Sequence, residues 1–515
     1  MPTYLTPGVY VEEIDRGSKP LSPVGTAVAA FVGFTAKAPT DDPTDPDGIK
    51  PRYVTNWGQY VAQYGGFETG AMLPHAVYGY FNNGGGACYI VRIPNRAVSG
   101  PGPARALPSA DDQSKTALQI ASKVDDPDLQ VDVVPDPTGG ESFTLNVRSG
   151  DQLVETFPNL TLGKGERAAD KVVTAESRLI TVTLASSAKA TLPATGTYTV
   201  DPAATTPKPV TGPDFTGDEA DRHGIGGLVI AEDVTMLAVP DLITAARGAD
   251  GSVDLDLWKA VQVAMLNHCE SQANRMALLD APPNMKPLEM KQWRSDVAMY
   301  DSKFGTLYYP WIQVANPGAT NGDRIISVPP CGHVAGVWGR NDETRGVWKA
   351  PANEVVRGAL DVSMRLTKEE QAILNPIGVN CIRTFGTRGI RVWGARTLSS
   401  DQSWQYVNVR RLFNMIETTI MEGTQWVVFE PNDKSLWERV KRTISVFLLG
   451  LWREGALFGA TPEQAYYVKC DEETNTQDSI DLGRLIVEVG IAPVKPAEFV
   501  IFRISQWQGG SGSAE

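Results

Sequence analysis

The chain has 515 residues, a formal net charge of −13, 42% hydrophobic and 8% aromatic residues, and 12 Trp. That length exceeds one core, and the composition excludes a disordered or fibrous protein, so about two to four domains are expected. The negative balance disfavours nucleic acid or an acidic membrane as a general partner and leaves room only for a local basic face.

The first 25 residues read as an arm. TPGVYVEEI, Thr6 to Ile14, is a short strand pattern in which Val9, Tyr10, Val11 and Ile14 suit a pleated surface. Termini fray unless held. No hairpin dipeptide follows, only the polar linker DRGSKPLSPVG, so the strand has no partner in the next apolar run. Val24 to Phe34 could pass for a signal-peptide core. It is preceded by Glu12, Glu13 and Asp15 against Arg16 and Lys19, the wrong charge for export by that route. Residues 26–96 look globular: the strand TAVAAFVGF, an acidic Pro-rich loop, then LPHAVYGYFNNGGGACYIVRI, a helix running into a strand.

Residues 97–222 change character. They hold no Trp and four aromatics, Phe143, Phe157, Tyr198 and Phe215, and 18 acids against 11 bases. SFTLNVRSGDQLVETF alternates around Ser149-Gly150 as a hairpin does, and GERAADKVVTAESRLITVTL suggests a short helix then a strand. This is a strand-rich insertion.

From 225 onward the aromatics return. DVTMLAVPDL, LDLWKAVQVAMLNHCESQ and RMALLDAP read as strand–helix–strand, a parallel pair. Two longer helices follow, SWQYVNVRRLFNMIETTIMEG and DKSLWERVKRTISVFLLGLWREG. The second carries Leu436, Trp437, Val440, Ile444, Phe447, Leu448 and Leu451 on one face, about 30 Å long. Its apolar run, Ile444 to Trp452, is far short of the roughly 20 residues a bilayer span needs. GRLIVEVGIAP and AEFVIFRISQW are the closing strands, before a flexible GGSGSAE tail.

Catalytic signals are sparse. Asp241 and Asp280 end the parallel strand pair, where α/β enzymes place carboxylates, but each equally begins a turn or caps a helix. Gly84–Gly86 and Gly224–Gly227 continue to no phosphate-binding motif. The four His and five Cys are scattered, without metal-ligand spacing, so no cofactor and no metal is expected. Unpaired, separated Cys88, Cys269, Cys331, Cys381 and Cys470 argue for reduced thiols and folding in a cytoplasm. Residues 381–453 hold 11 Lys or Arg and six Asp or Glu, a local excess of positive charge, with Arg410, Arg411, Lys441 and Arg442 on the two helices.

Several ordered stretches resemble the contractile tail sheath family of phage tails, R-type pyocins and phage-tail-like extracellular injection systems. They are TPGVYVEEI…SPVGTAVAAFVGFTAKAP, RGVWKAPAN, NVRRLFNMIE, WVVFEPND…LW, FGATPEQAYYVKCD and LIVEVGIAPVKPAEFVIFRI, covering roughly 1–96 and 225–507. The resemblance implies a non-enzymatic, multi-domain mixed α/β (α+β) chain. Its N- and C-terminal segments would together build an inner domain, beside a middle α/β domain and an outer β-rich insertion. The expected divisions are 1–25 arm, 26–96 with 225–350 middle domain, 97–224 insertion, 351–496 inner domain, 497–507 C-terminal arm strand and 508–515 tail.

It also implies stacked six-membered rings around an inner tube, joined by arms that add strands to neighbours' sheets. Val9, Tyr10, Val11 and Ile14 would serve one arm and Phe499, Val500, Ile501 and Phe502 the other. Arg410, Arg411, Lys441 and Arg442 would face the tube. Partners would be further copies, the tube protein, and baseplate and tail-terminator or cap proteins, with no nucleic acid and no membrane insertion. Assembly would take place in a bacterial cytoplasm, yielding a phage tail or tail-like particle. Two alternatives stand beside this: a monomeric α/β enzyme using Asp241 and Asp280, and a binding module whose arm donates a strand to an unrelated protein.

Overall fold

The computed structural model describes residues 21–503 except 40–41, 43, 46, 69, 95–96, 101–103, 125, 137–139, 141, 164, 186–191, 203, 208–209, 249 and 320–323. The N-terminal strand residues Val9, Tyr10, Val11 and Ile14 and the tail after 503 lie outside them.

The chain divides into two compact units, Asn95–Val210 and the remainder. The larger is organised by a nine-stranded sheet. Its strands are β1 Val28–Gly33, β2 Arg52–Val54, β3 Ala87–Arg92, β4 Met236–Ala238, β5 Met276–Asp280, β6 Gly305–Tyr309, β7 Glu354–Val355, β8 Val379–Thr384 and β9 Ile390–Val392. They lie in the order β7-β9-β8-β6-β5-β4-β1-β3-β2. The run β8-β6-β5-β4-β1-β3 is parallel, as the strand–helix–strand pattern anticipates. β2 and β9 are antiparallel to their neighbours, and β7 is antiparallel to β9. Central strands covered on both faces need continuous apolar sequence, and β5 and β6 are buried at every position.

Helices α1 Leu73–Asn82, α2 Leu255–Gln272 and α3 Cys331–Arg345 cover the sheet. Asp254 begins α2 by accepting from the main-chain N–H of Asp256 and Leu257. The α1–α3 contact is close because it is made through glycine. A Cβ on Gly332 would stand 2.3 Å from Ala76 O, and one on Gly336 2.3 Å from Tyr80 O.

Helices α4 Val407–Gly423 and α5 Lys434–Arg453 build a second core in this unit. All seven apolar residues read from the α5 pattern are buried there, packed with Leu412, Met415 and Ile416 of α4. A two-stranded antiparallel sheet, Tyr466–Lys469 with Glu488–Ile491, lays Tyr466, Val468, Val489 and Ile491 on the same core.

Two expected divisions move. β7, β8 and β9 complete the large sheet, so a boundary at 350 would cut through it; a pattern of short strands does not announce which sheet it joins. The insertion returns at Val210 rather than 224, because residues 211–230 form short helical turns that pack with the larger unit. The smaller unit contains the predicted hairpin, Phe143–Ser149 with Gln152–Leu160, and the predicted helix Ala169–Glu176 leading to strand Ile180–Leu184. Leu118, Ile120, Val131, Leu145, Val147 and Phe157 are among its buried residues.

Candidate functional site

Strand order reverses about β1, the crevice where open α/β sheets place ligands and where helix N-termini favour anions. Here the anion is part of the chain. Asp241 is fully buried, and its Oδ2 accepts from Phe34 N at 2.7 Å and Leu73 N at 3.1 Å. Its Oδ1 accepts from Met72 N. The carboxylate therefore satisfies orphan N–H groups at the start of α1. β1 must end in glycine for this, since a Cβ on Gly33 would stand 2.3 Å from that Oδ2.

Asp280 does the same for α3, accepting from Cys331 N at 3.0 Å. Burial pushes both carboxyls up to about 7. Asp280 ends its strand as expected, Asp241 lies three residues beyond the end of β4, and both act as caps on neighbouring helices. Among the described residues, no three His, Cys, Asp or Glu side chains lie close enough to hold a metal. His333 is buried against α1, and burial pushes it down to about 4. No helix among the described residues is long and apolar enough to cross a membrane.

The basic helical residues do not form one exposed face, and this corrects the expectation for two of them. Arg410 is 2% exposed, bonded to Asn414 and Glu417, with its guanidinium 4.5 Å from the Trp404 ring. Arg411 is 3% exposed, paired with Asp342 and 4.6 Å from the Trp338 ring. Charge counting along a helix cannot see partners supplied from 69 positions away. Lys441 is half-buried and Arg442 exposed on α5.

The last described residues leave the body past one firmly held side chain. After strand Glu488–Ile491 the chain runs over Val494 to Glu498 without a ladder, and Glu498 is then gripped. Arg396 donates to it twice, at 2.9 and 2.6 Å, and Asn375 and Tyr406 add bonds at 2.7 and 3.1 Å. Burial raises the carboxyl's pKa, but these donors outweigh it and hold the group below its ordinary value. Past this grip Phe499, Val500, Ile501 and Phe502 are 72%, 68%, 79% and 83% exposed and pair with no strand among the described residues. Four successive apolar side chains in water have strand composition and nothing to cover them.

The two-stranded sheet nearby is open in the complementary sense. Among the described residues no main-chain hydrogen bond from another segment reaches the outer edges of Tyr466–Lys469 and Glu488–Ile491. Two strands alone are marginal in water. Between the C-terminal segment and the body runs a groove of about 1120 Å³, floored by Trp348, Trp393 and Tyr406. Sequence reasoning missed the grip on Glu498. Its only signal was a lone acid at the head of an apolar run, with the answering Arg396 102 positions earlier.

The phage tail sheath protein central domain family matches residues 232–398, and the phage tail sheath C-terminal domain family matches residues 399–506. Among curated relatives, the tail sheath protein of Salmonella phage ViI is 28% identical over 210 residues, 40% of this chain and 32% of that protein. The chain thus spans about a third of the length of that relative. Among solved structures, the helical sheath of the anti-feeding prophage in its contracted state covers 98% of this chain and 100% of its own, at 27% identity and a TM-score of 0.60. The sheath complex of an extracellular contractile injection system, PVC, also contracted, covers 99% of each chain at 26% identity and a TM-score of 0.56.

Proposed function

The chain belongs to the phage tail sheath family, and from that premise we propose that it is the subunit of a contractile sheath, a helical polymer of stacked six-membered rings around an inner tube. The observation that carries this is the pairing of a surplus with a deficit. Among the described residues, the segment Phe499–Phe502 is exposed and pairs with no strand, and the sheet Tyr466–Lys469/Glu488–Ile491 has no outer strand. One copy's arm completes another copy's sheet, with main-chain hydrogen bonds supplying affinity and alternate side chains supplying register. Such a contact is head-to-tail and generates rings or open helical polymers rather than two-fold dimers. The N-terminal strand, with Val9, Tyr10, Val11 and Ile14, serves the second joint.

Contraction is then a passage between two packings of the same subunits, held together by the arms while the bodies rotate. A gap of a few kcal/mol per subunit sums over the polymer. Lys441 and Arg442 are the remaining candidates for a weak grip on the tube; exposed ion pairs worth roughly 0–1 kcal/mol each can let go. The family is one of structural proteins, and we assign no catalytic role and no cofactor. Partners are further copies, the inner tube protein, and baseplate and cap proteins. Assembly takes place in a bacterial cytoplasm, and the product is a phage tail or tail-like particle.

Electron microscopy of the purified chain with its tube protein tests this. Tubes or stacked rings are expected from the full chain, and neither from chains lacking residues 1–15 or 497–515. Unimpaired tubes from both truncated chains would overturn it.

A further inference from the structure

One helix holds the roots of both arms. At its N-terminal end, Tyr406 donates to Glu498 at 3.1 Å and Asn408 Nδ2 donates to Val494 O at 3.1 Å. Further along, Arg411 donates to Thr26 O at 2.8 Å, and Thr26 Oγ1 bonds the same Asp342 that pairs with Arg411, at 2.6 Å. Val24 N then donates to Thr419 Oγ1 at 3.2 Å. At the last residue of the helix a Cβ on Gly423 would stand 2.0 Å from Leu21 Cδ2, so Leu21 lies directly on that glycine. Residues 21–26 therefore run along α4 against its direction, while residues 494–498 are fixed at its opposite end.

The helix is suited to hold them apart at constant distance. From Asn408 to Gly423 it rises roughly 22 Å. Ten of its 17 residues are buried, and it packs on α5. Its buried Arg411, held by Asp342 and the Trp338 ring, is costly to place there and is answered by a matching buried carboxylate. A surface charge would serve solubility as well; one sunk at the root of an arm fixes geometry.

We propose that α4 is a strut that sets the separation and relative orientation of the two arm roots, so that a pull received through one arm passes to the other along a single helix. Tyr406, Asn408, Arg411 and Gly423 are its positioning residues. That the roots are pulled rests on the sheath reading; that they are fixed by α4 does not.

The test is a distance. Spin labels at Gly25→Cys and Ala497→Cys report the two roots, and the five native cysteines are buried away from the reagent. The free chain is expected to give one narrow distance distribution, retained in assembled tubes. R411M with D342L removes both charges together, and Y406F with N408A removes the helix's own bonds to the other root, leaving the Arg396 and Asn375 bonds to Glu498 in place. Each is expected to broaden the distribution at least twofold. If the charge-free variant fails to fold, Gly423→Val displaces Leu21 without touching a charge and is expected to broaden it likewise. A broad distribution in the otherwise unchanged chain, or one that stays narrow when the helix's bonds to both roots are removed, would overturn the strut, the latter by showing that Arg396 and Asn375 fix the C-terminal root without it. Failure of the unlabelled chain to form tubes with its tube protein would instead overturn the sheath reading, and the free-chain distance would still decide the strut.

Discussion

Arg396 and Glu498 hold each other by two parallel hydrogen bonds, Nε to Oε1 at 2.9 Å and Nη2 to Oε2 at 2.6 Å, across 102 positions of sequence. Such two-point pairs are directional as well as charged. Glu498→Gln is expected to loosen the root by about 1–3 kcal/mol and to speed proteolytic clipping at 499–503 several-fold, with little change in melting temperature. Because this carboxyl titrates below its ordinary value, the stability it adds is present above about pH 4.3 and is lost as pH falls through its folded value. Clipping of the unchanged chain should therefore be slow at pH 5 and rise in stronger acid.

Asp241 accepts from three main-chain N–H groups, and an amide cannot do so without turning its own NH₂ on one of them. Asp241→Asn is expected to cost about 2–4 kcal/mol in chemical denaturation. Gly33→Ala, which drives a methyl into the same carboxylate, should destabilise comparably. A loss of some activity in solution with stability untouched would instead favour the enzyme alternative.

Asp280 carries the opposite sign from Glu498. Its carboxyl is raised to about 7 by burial, so stability is fullest below about pH 4 and declines as pH rises through 7. Asn in its place still accepts from Cys331 N and carries no charge. The melting temperature of Asp280→Asn relative to the unchanged chain should therefore rise between pH 5 and about pH 7 and level off above it. A flat difference would contradict the assignment.

Phe429 lies in the turn between α4 and α5 with φ of 69° and its side chain wholly exposed. A left-handed, solvent-facing phenylalanine costs the free subunit and returns nothing to it. Phe429→Gly is expected to leave the free chain as stable or up to about 1 kcal/mol more stable, while lowering the yield of tubes. Equal tube yield would show that the ring is not buried on assembly.

The parts of this fold legible in the sequence were those with a period or a run. The α5 face appears as seven apolar residues at helical spacing, and β1 as an unbroken apolar stretch, because one side of a helix and both sides of a central strand must be dry. Arg410 and Arg411 were misplaced for a physical reason: an arginine looks the same in sequence whether it meets water or Asp342 and Trp338. The division near 350 failed because β7 has two residues and β9 three, too few to show a pattern. The exposed C-terminal run was visible as strand composition, but its missing partner is a property of the folded chain, since only there does an unpaired edge have meaning.

The two kinds of sheet edge have a consequence for crowding. The nine-stranded sheet finishes at one end in two-residue β7 and at the other in three-residue β2, too brief to recruit a passing chain. Among the described residues, the small sheet keeps both flanks bare. Newly made copies of this protein, accumulating side by side before any tube exists, therefore find little purchase on the borders of the large sheet. Stubby borders on the big sheet act as quarantine for the largest sheet of the molecule.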